Sequence, residues 1–255
     1  MNFNDYLKLH KLGYFNQAEK GYRSLLKQKN IDPLIYTSLG LICIKTNREE
    51  EAIKLFIKAI KNNPQDDVAI NNLGLIYLSK KEYQKAKKYF FDSIKIKRNS
   101  KVFYYLSEVY KQLDNIEKAI FNLKESIKIL KEPNSLCNLG HLLYLSGEIN
   151  EAEKYTNLAL KYKPELDIAY NNLGLINLSK GNLKTAKNNF FRAIKINKNN
   201  FMAHYNLSSI TDYSIKNLHE KQLINLLNSS INKNELLHLS FALGKVHKDK
   251  KNYKK

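Results

Sequence analysis

Apolar residues in this chain fall on two successive helical faces, and the pair of faces recurs along the sequence. In residues 67–98, Val68, Leu73, Ile76 and Tyr77 recur at helical spacing, as do Tyr83, Ala86, Tyr89, Phe90 and Ile94. The polar run Ser79-Lys80-Lys81-Glu82 separates the two sets. The pattern predicts two amphipathic helices joined by a short turn. Residues 168–198 repeat it, with Ala169, Leu173 and Ile176 before a break at Gly181, and Leu183, Ala186, Phe190 and Ala193 after it.

The repetition is chain-wide. Leu39-Gly40, Leu73-Gly74, Leu106-Ser107, Leu139-Gly140, Leu173-Gly174 and Leu207-Ser208 have their second members 34, 33, 33, 34 and 34 residues apart. Ala18, Ala52, Ala86, Ala119, Ala152 and Ala186 form a second ladder with spacings of 34, 34, 33, 33 and 34. Both ladders shorten in the same stretch, so a single repeating unit underlies them. A small residue at a fixed offset in each unit lets two helix backbones cross closely. Gly40, Gly74, Gly140, Gly174 and Gly244 are placed at that crossing by the register, and Gly13, Gly147 and Gly181 in the turn between helices, where a left-handed backbone suits glycine. Gly21 stands outside this scheme. Pro33 and Pro133 open first helices, and Pro64 and Pro164 follow second ones.

These residues resemble the tetratricopeptide repeat (TPR). Leu39-Gly40, Ala52, Phe56, Ala59 and Pro64 match its pattern, as do Leu73-Gly74, Tyr77, Ala86, Phe90 and Ser93, and Leu173-Gly174, Ala186, Phe190 and Ala193. The departures are Ser107 and Ser208 in place of Gly and Thr156 in place of an aromatic. Pentatricopeptide and Sel1-like repeats have a slightly longer period and fit the alanine ladder less well. The resemblance implies an all-α, right-handed superhelical solenoid of TPR helical hairpins. Its expected organisation is a degenerate capping repeat over 1–32, with a helix from Phe3 to Leu12 and another from Asn16 to Gln28. Five units follow, over 33–66, 67–99, 100–132, 133–166 and 167–200. A divergent repeat and spacer occupy 201–233, including a helix near Glu220 to Asn228, and a truncated further repeat begins in 234–255. That last repeat has its turn at Asp249 to Asn252 and a second helix starting at Tyr253. Half a unit caps a solenoid poorly, so the expectation is that the chain is a fragment or ends by accident. Ala203–Tyr213 and Leu237–Tyr253 also look like the junction in bacterial TPR-containing sulfotransferases. That resemblance implies a non-catalytic, substrate-recruiting N-terminal region whose catalytic domain is absent.

Composition adds limits. The chain has 255 residues, 43% hydrophobic and 26% charged, so a packed core is within reach and bulk disorder is not expected. Two cysteines exclude a disulfide scaffold, and no apolar run is long enough to span a bilayer. With no sign of a signal peptide, the expected location is the cytoplasm. The net charge of +19 raises nucleic acid as a partner. Yet only Arg23, Arg48, Arg98 and Arg192 are arginines, the residue best suited to bidentate phosphate and base contacts. Lys, Asn, Ile, Tyr and Phe enriched together are what AT-rich coding produces, so nucleic-acid binding ranks behind protein binding.

No catalytic constellation, cofactor loop or metal site emerges, and an enzyme is not expected. His10, His141, His204, His219, His238 and His247 lack metal-ligand spacing and read as surface or groove residues. Cys43 reads as core, and Cys137 as a thiol near the groove with nothing beside it to activate it. The acidic runs Glu49-Glu50-Glu51 and Asp66-Asp67 suit helix starts. Phe90-Phe91 and Tyr104-Tyr105 read as core packing rather than base stacking. Binding has a clearer candidate. First helices of a stacked array line its concave side, and the residue before each ladder Leu is Ser38, Asn72, Tyr105, Asn138, Asn172 or Asn206, with Asn71 and Asn171 adjoining. Amides both donate and accept, and so pair with an extended peptide backbone without reading its sequence. The row resembles the asparagine ladder of O-linked N-acetylglucosamine transferases. The alternative is that these amides satisfy backbone groups inside the array. A carboxylate clamp is disfavoured, because Leu41, Leu75 and Leu175 stand where it needs Asn. The expected partner is a protein or peptide, with acidic character matched to the lysines; no metal or membrane partner is expected.

Overall fold

Short turns built around one left-handed residue fold the sequence into helical hairpins. A computed structural model describes residues 2–28, 32–215, 218–228 and 232–250, which form fifteen α-helices and no strand. The hairpins are α1 (Phe3–Lys11) with α2 (Phe15–Leu25), α3 (Leu34–Lys45) with α4 (Glu49–Asn62), and α5 (Asp67–Ser79) with α6 (Tyr83–Ile96). They continue with α7 (Ser100–Gln112) and α8 (Ile116–Ile129), α9 (Pro133–Leu145) and α10 (Ile149–Tyr162), and α11 (Asp167–Ser179) and α12 (Leu183–Ile196). Then come α13 (Phe201–Ser209), α14 (Leu218–Leu227) and α15 (Lys233–Asp249). The fold class is all-α helical repeat, as the patterning predicts. The predicted turn through Asn252 and the helix expected from Tyr253 run into 251–255, outside the described residues.

Each of the six hairpin turns holds one residue at positive φ. Three are the predicted glycines, Gly13 (86°), Gly147 (83°) and Gly181 (77°). The others are Asn47 (58°), Lys81 (61°) and Asp114 (54°), which pay a steric penalty there that glycine escapes.

The crossing glycines behave as the ladder requires. A Cβ added at Gly40, Gly74 or Gly174 would lie 2.5, 2.5 or 2.2 Å from the ring of Phe56, Phe90 or Phe190, all three fully buried. At Gly140 the opposing residue is Thr156, whose Oγ1 would lie 2.3 Å away. Two glycines depart from expectation. Gly21, which the ladder left unexplained, is a crossing glycine: its added Cβ would fall 2.1 Å from the ring of Tyr6. In this hairpin Tyr6, 34 residues before Gly40, takes the glycine's place on α1, while Tyr22, 34 residues before Phe56, keeps the aromatic register on α2; Gly21, one position before it, leaves room for the Tyr6 ring. Gly244, expected at a crossing, has open space beside it among the described residues. Val68, counted in the apolar pattern, is 44% exposed.

The chain divides after Leu130 into two compact units. In the first, Ala18, Tyr22, Leu39, Phe56 and Leu73 form one buried cluster, and Ala86, Phe90, Val102 and Leu106 another. Fully burying one such phenylalanine or leucine contributes roughly 1.5–3 kcal/mol. Charges join successive hairpins at the periphery. Glu19 on α2 takes Arg23 from its own helix and Arg48 from the next turn, and Arg23 also reaches Glu51. The Arg48 guanidinium, backed by Arg23, holds the Glu19 carboxyl down at about 2 despite partial burial. Lys80 pairs with Glu49 and Glu50. The acidic start of α4 therefore serves inter-hairpin pairing as well as the helix dipole. Such exposed pairs contribute ~1 kcal/mol or less each.

The second unit has Leu136, Leu139, Leu143, Ala152, Ala159 and Phe190 among its buried residues. Beyond α12 the hairpin geometry changes. Helices α13 and α15 pack side by side and run parallel: Tyr205 contacts His238 and Phe241, and farther along the Tyr213 N–H donates to Asp249. Tyr213, fully buried, plugs a cluster of Leu223, Leu239, Ala242 and Val246.

Candidate functional site

First-helix faces are where the amide row was placed, and the two units use it differently. In the first unit, Ser38 is buried on α3. Its neighbour Thr37 donates to the Asp66 carboxylate, which also caps α5 by accepting from Ala69 N at 2.9 Å. Asn71 and Asn72 are half-buried on α5. Asn72 Nδ2 donates to Val68 O in its own helix at 2.8 Å, and the shielded Asn71 Oδ1 has no hydrogen-bond partner among the described residues. Tyr105 on α7 is half-buried and stacks on Phe90 with centroids 5.6 Å apart, while Tyr104 meets it edge-on at 5.7 Å.

In the second unit the amides reach from one first helix to the next. Asn206 Nδ2 on α13 donates to Asn171 Oδ1 on α11 at 2.9 Å. Asn172 Nδ2 donates to Cys137 O on α9 at 3.1 Å, with the sulfur at 3.3 Å. Asn171, Asn172 and Asn206 are all buried. Asn138 is half-buried on α9. The structure thus brings together Asn171 with Asn206, and Asn172 with the Cys137 backbone. Asn71, Asn72 and Tyr105 make none of the bonds between first helices seen in the second unit.

The thiols are passive. Cys43 is buried, and burial pushes it up to about 11; Cys137 is buried more deeply and pushed up to about 12. Among the described residues no group of three or more His, Cys, Asp or Glu is placed to hold a metal ion. No helix there is long and apolar enough to cross a membrane.

The histidine reading needs correction. His204 and His219 are not surface residues: each is 1% exposed, and their rings stack 5.0 Å apart. His204 Nε2 lies 3.0 Å from Lys198 O, His204 Nδ1 lies 2.8 Å from His219 Nε2, and His219 Nδ1 lies 2.6 Å from the Tyr213 hydroxyl. A carbonyl only accepts, so His204 carries its proton on Nε2 and accepts on Nδ1 from His219, which in turn accepts from Tyr213. Two neutral rings satisfy every contact in this chain. Burial pushes both histidines below the ordinary imidazole value, His219 to about 3. Repeat register contained the signal: His204 lies 34 residues after Tyr170, itself buried.

Against known proteins, the tetratricopeptide repeat pattern matches residues 34–66, 100–129, 133–166 and 168–200, and a second form of it matches 55–88. These matches stop short of the stretch that resembles the sulfotransferase junction. No curated protein sequence matches the chain. Among solved structures, YrrB, a TPR protein with an unusual peptide-binding site, is 21% identical, with 71% of this chain and 95% of that one covered at a TM-score of 0.63. The C-terminal part of a TPR repeat-containing protein from Cytophaga hutchinsonii is 16% identical, covering 93% and 99% at 0.69. Pseudomonas aeruginosa PilF is 17% identical, covering 79% and 92% at 0.67. At these identities the likeness is one of fold.

Proposed function

The chain belongs to the tetratricopeptide repeat family, and from that premise we propose that it is a scaffold that binds an extended, acidic peptide along its first-helix faces. The observation that carries this reading is the uncommitted amide pair of the first unit. Asn71 Oδ1 lacks a donor, and Asn72 spends its N–H on its own helix. Buried polar atoms are normally satisfied, and a peptide N–H laid along α5 supplies the missing donor after a small turn of the amide. Tyr104 and Tyr105 on the neighbouring first helix offer an aromatic wall beside it. In the second unit Asn171, Asn172 and Asn206 are spent instead on bonds between first helices. The net charge of +19 favours acidic partners and speeds their encounter at low salt. YrrB provides a precedent for peptide binding on this fold.

Selection from a displayed random-peptide library tests the reading. Acidic sequences should enrich, and in Asn71→Ala/Asn72→Ala their affinity should fall about tenfold, a loss of about 1.4 kcal/mol, with little change in melting. Asn172→Ala/Asn206→Ala should lower the melting temperature and leave affinity intact. Failure to enrich any peptide, or the opposite split between the two variants, refutes it.

A further inference from the structure

Apart from the first-helix faces, the second unit carries a cleft of about 640 Å³ between α12 and α14, well within the usual ligand-pocket range of roughly 300–1,000 Å³. Phe191, Ile194 and Leu226 supply apolar walls, and buried His204 lies at its base. Asn199, Gln222 and Asn225 stand around it with Lys195 and Lys198. Among the described residues no carboxylate lines the cleft and neither lysine forms an ion pair. Both ring nitrogens of His204 are engaged away from a ligand, one on Lys198 O and the other on His219. The base of the cleft therefore offers a flat imidazole surface and no free donor, and the charge lies in the two lysines.

We propose that this cleft binds a carboxylate carried on an apolar chain, the chain lying against Phe191, Ile194 and Leu226 and the carboxylate meeting Lys195 and Lys198. Two sources share that chemistry: a free medium-chain carboxylic acid, and the chain end of a peptide whose last residue is apolar. The site is independent of the peptide-binding reading above, because it is walled by α12 and α14 and uses none of the residues of that reading.

Titration calorimetry on the full chain, with imidazole NMR signals followed in parallel, tests the proposal. The probes are decanoate, decylamine, and a tetrapeptide ending in leucine with its carboxylate either free or amidated. Saturable binding of decanoate, or of the free-carboxylate peptide but not its amide, is expected, with shifts of the His204 and His219 signals. Decanoate alone identifies the free acid, and the peptide alone identifies a chain end. Lys195→Gln/Lys198→Gln, both at exposed side chains, should weaken binding about tenfold or more and leave the far-ultraviolet dichroism unchanged. Decylamine binding as well as decanoate, no saturable binding of either carboxylate, or unchanged affinity in the double variant would overturn it.

Discussion

Gly74→Ser tests the helix crossing on which every hairpin depends, and its cost follows from the geometry. A Cβ at position 74 would lie 2.5 Å from Phe90 Cε1, 2.7 Å from Cδ1 and 3.0 Å from Cζ. Comfortable contact requires about 3.5–4.0 Å, so the ring edge has to withdraw by about an ångström. Phe90 is fully buried, and Tyr105 stacks on it at 5.6 Å, which blocks the retreat. Overpacking of this kind costs ~1–3 kcal/mol, and the rigid ring puts the value near the top of that range. The chain contains its own compensated version: Ser107 takes the glycine place on α7, and the residue at the Phe90 register on α8 is Leu123, both buried. Gly74→Ser/Phe90→Leu should therefore be less destabilised than the sum of its single changes by ~1 kcal/mol or more, since residues in contact couple on that scale. Hydrogen exchange read on peptides from α5 and α6 reports the local cost without assuming that both units unfold together. A loss of about 2 kcal/mol accelerates exchange there roughly 30-fold in the single variant, and the double variant should recover a clear part of it. Strict additivity of the two changes would refute the idea that the glycine is needed to admit the ring.

The other predictions concern titration, turn strain and reactivity. His219 is held from the ordinary 6.5 down to about 3, so its contribution is fully present above 6.5 and is lost as pH falls from there toward 3. At about pH 5 the second unit should have lost about 2 kcal/mol, at 1.36 kcal/mol per unit; urea melts should show less acid sensitivity in His219→Leu, and equal sensitivity would count against the neutral chain. Lys81→Gly should stabilise the α5–α6 hairpin by up to ~1 kcal/mol, because left-handed strain is relieved at some cost in unfolded-chain entropy, whereas Gly181→Ala, at φ 77°, should destabilise its hairpin. Cys43 and Cys137, buried and pushed up to about 11 and 12, should not react with a thiol reagent at neutral pH until urea unfolds the chain; prompt modification of the folded protein would contradict the burial.

Legibility in this chain follows repeat register and fails where a side chain chooses its partner. The two ladders identify the hairpins because backbone crossing needs a small residue at one fixed offset, and sequence displays that need directly. The same logic reached Gly13, Gly147 and Gly181 but not the left-handed Asn47, Lys81 and Asp114, since tertiary packing imposes the turn whichever residue occupies it. It missed the Tyr6–Gly21 contact, because Gly21 stands one residue before Tyr22, which holds the Phe56 register, and so falls at no position the ladders mark. Asn72 and Asn172 show the limit most clearly. They occupy one repeat position, on helices of nearly identical sequence, Asp67–Ser79 and Asp167–Ser179. Asn172 finds the backbone of Cys137 on the preceding first helix, whereas Asn72 turns to its own helix at Val68. Residue type and register are equal in the two cases, so the difference comes from the adjoining repeat. In an array built this way, register fixes where each backbone lies and therefore the fold; which amides remain for a ligand is decided by pairs of residues 35 apart, such as Cys137–Asn172 and Asn171–Asn206. Substituting a single repeat should consequently change binding at its neighbours' amides as well as its own.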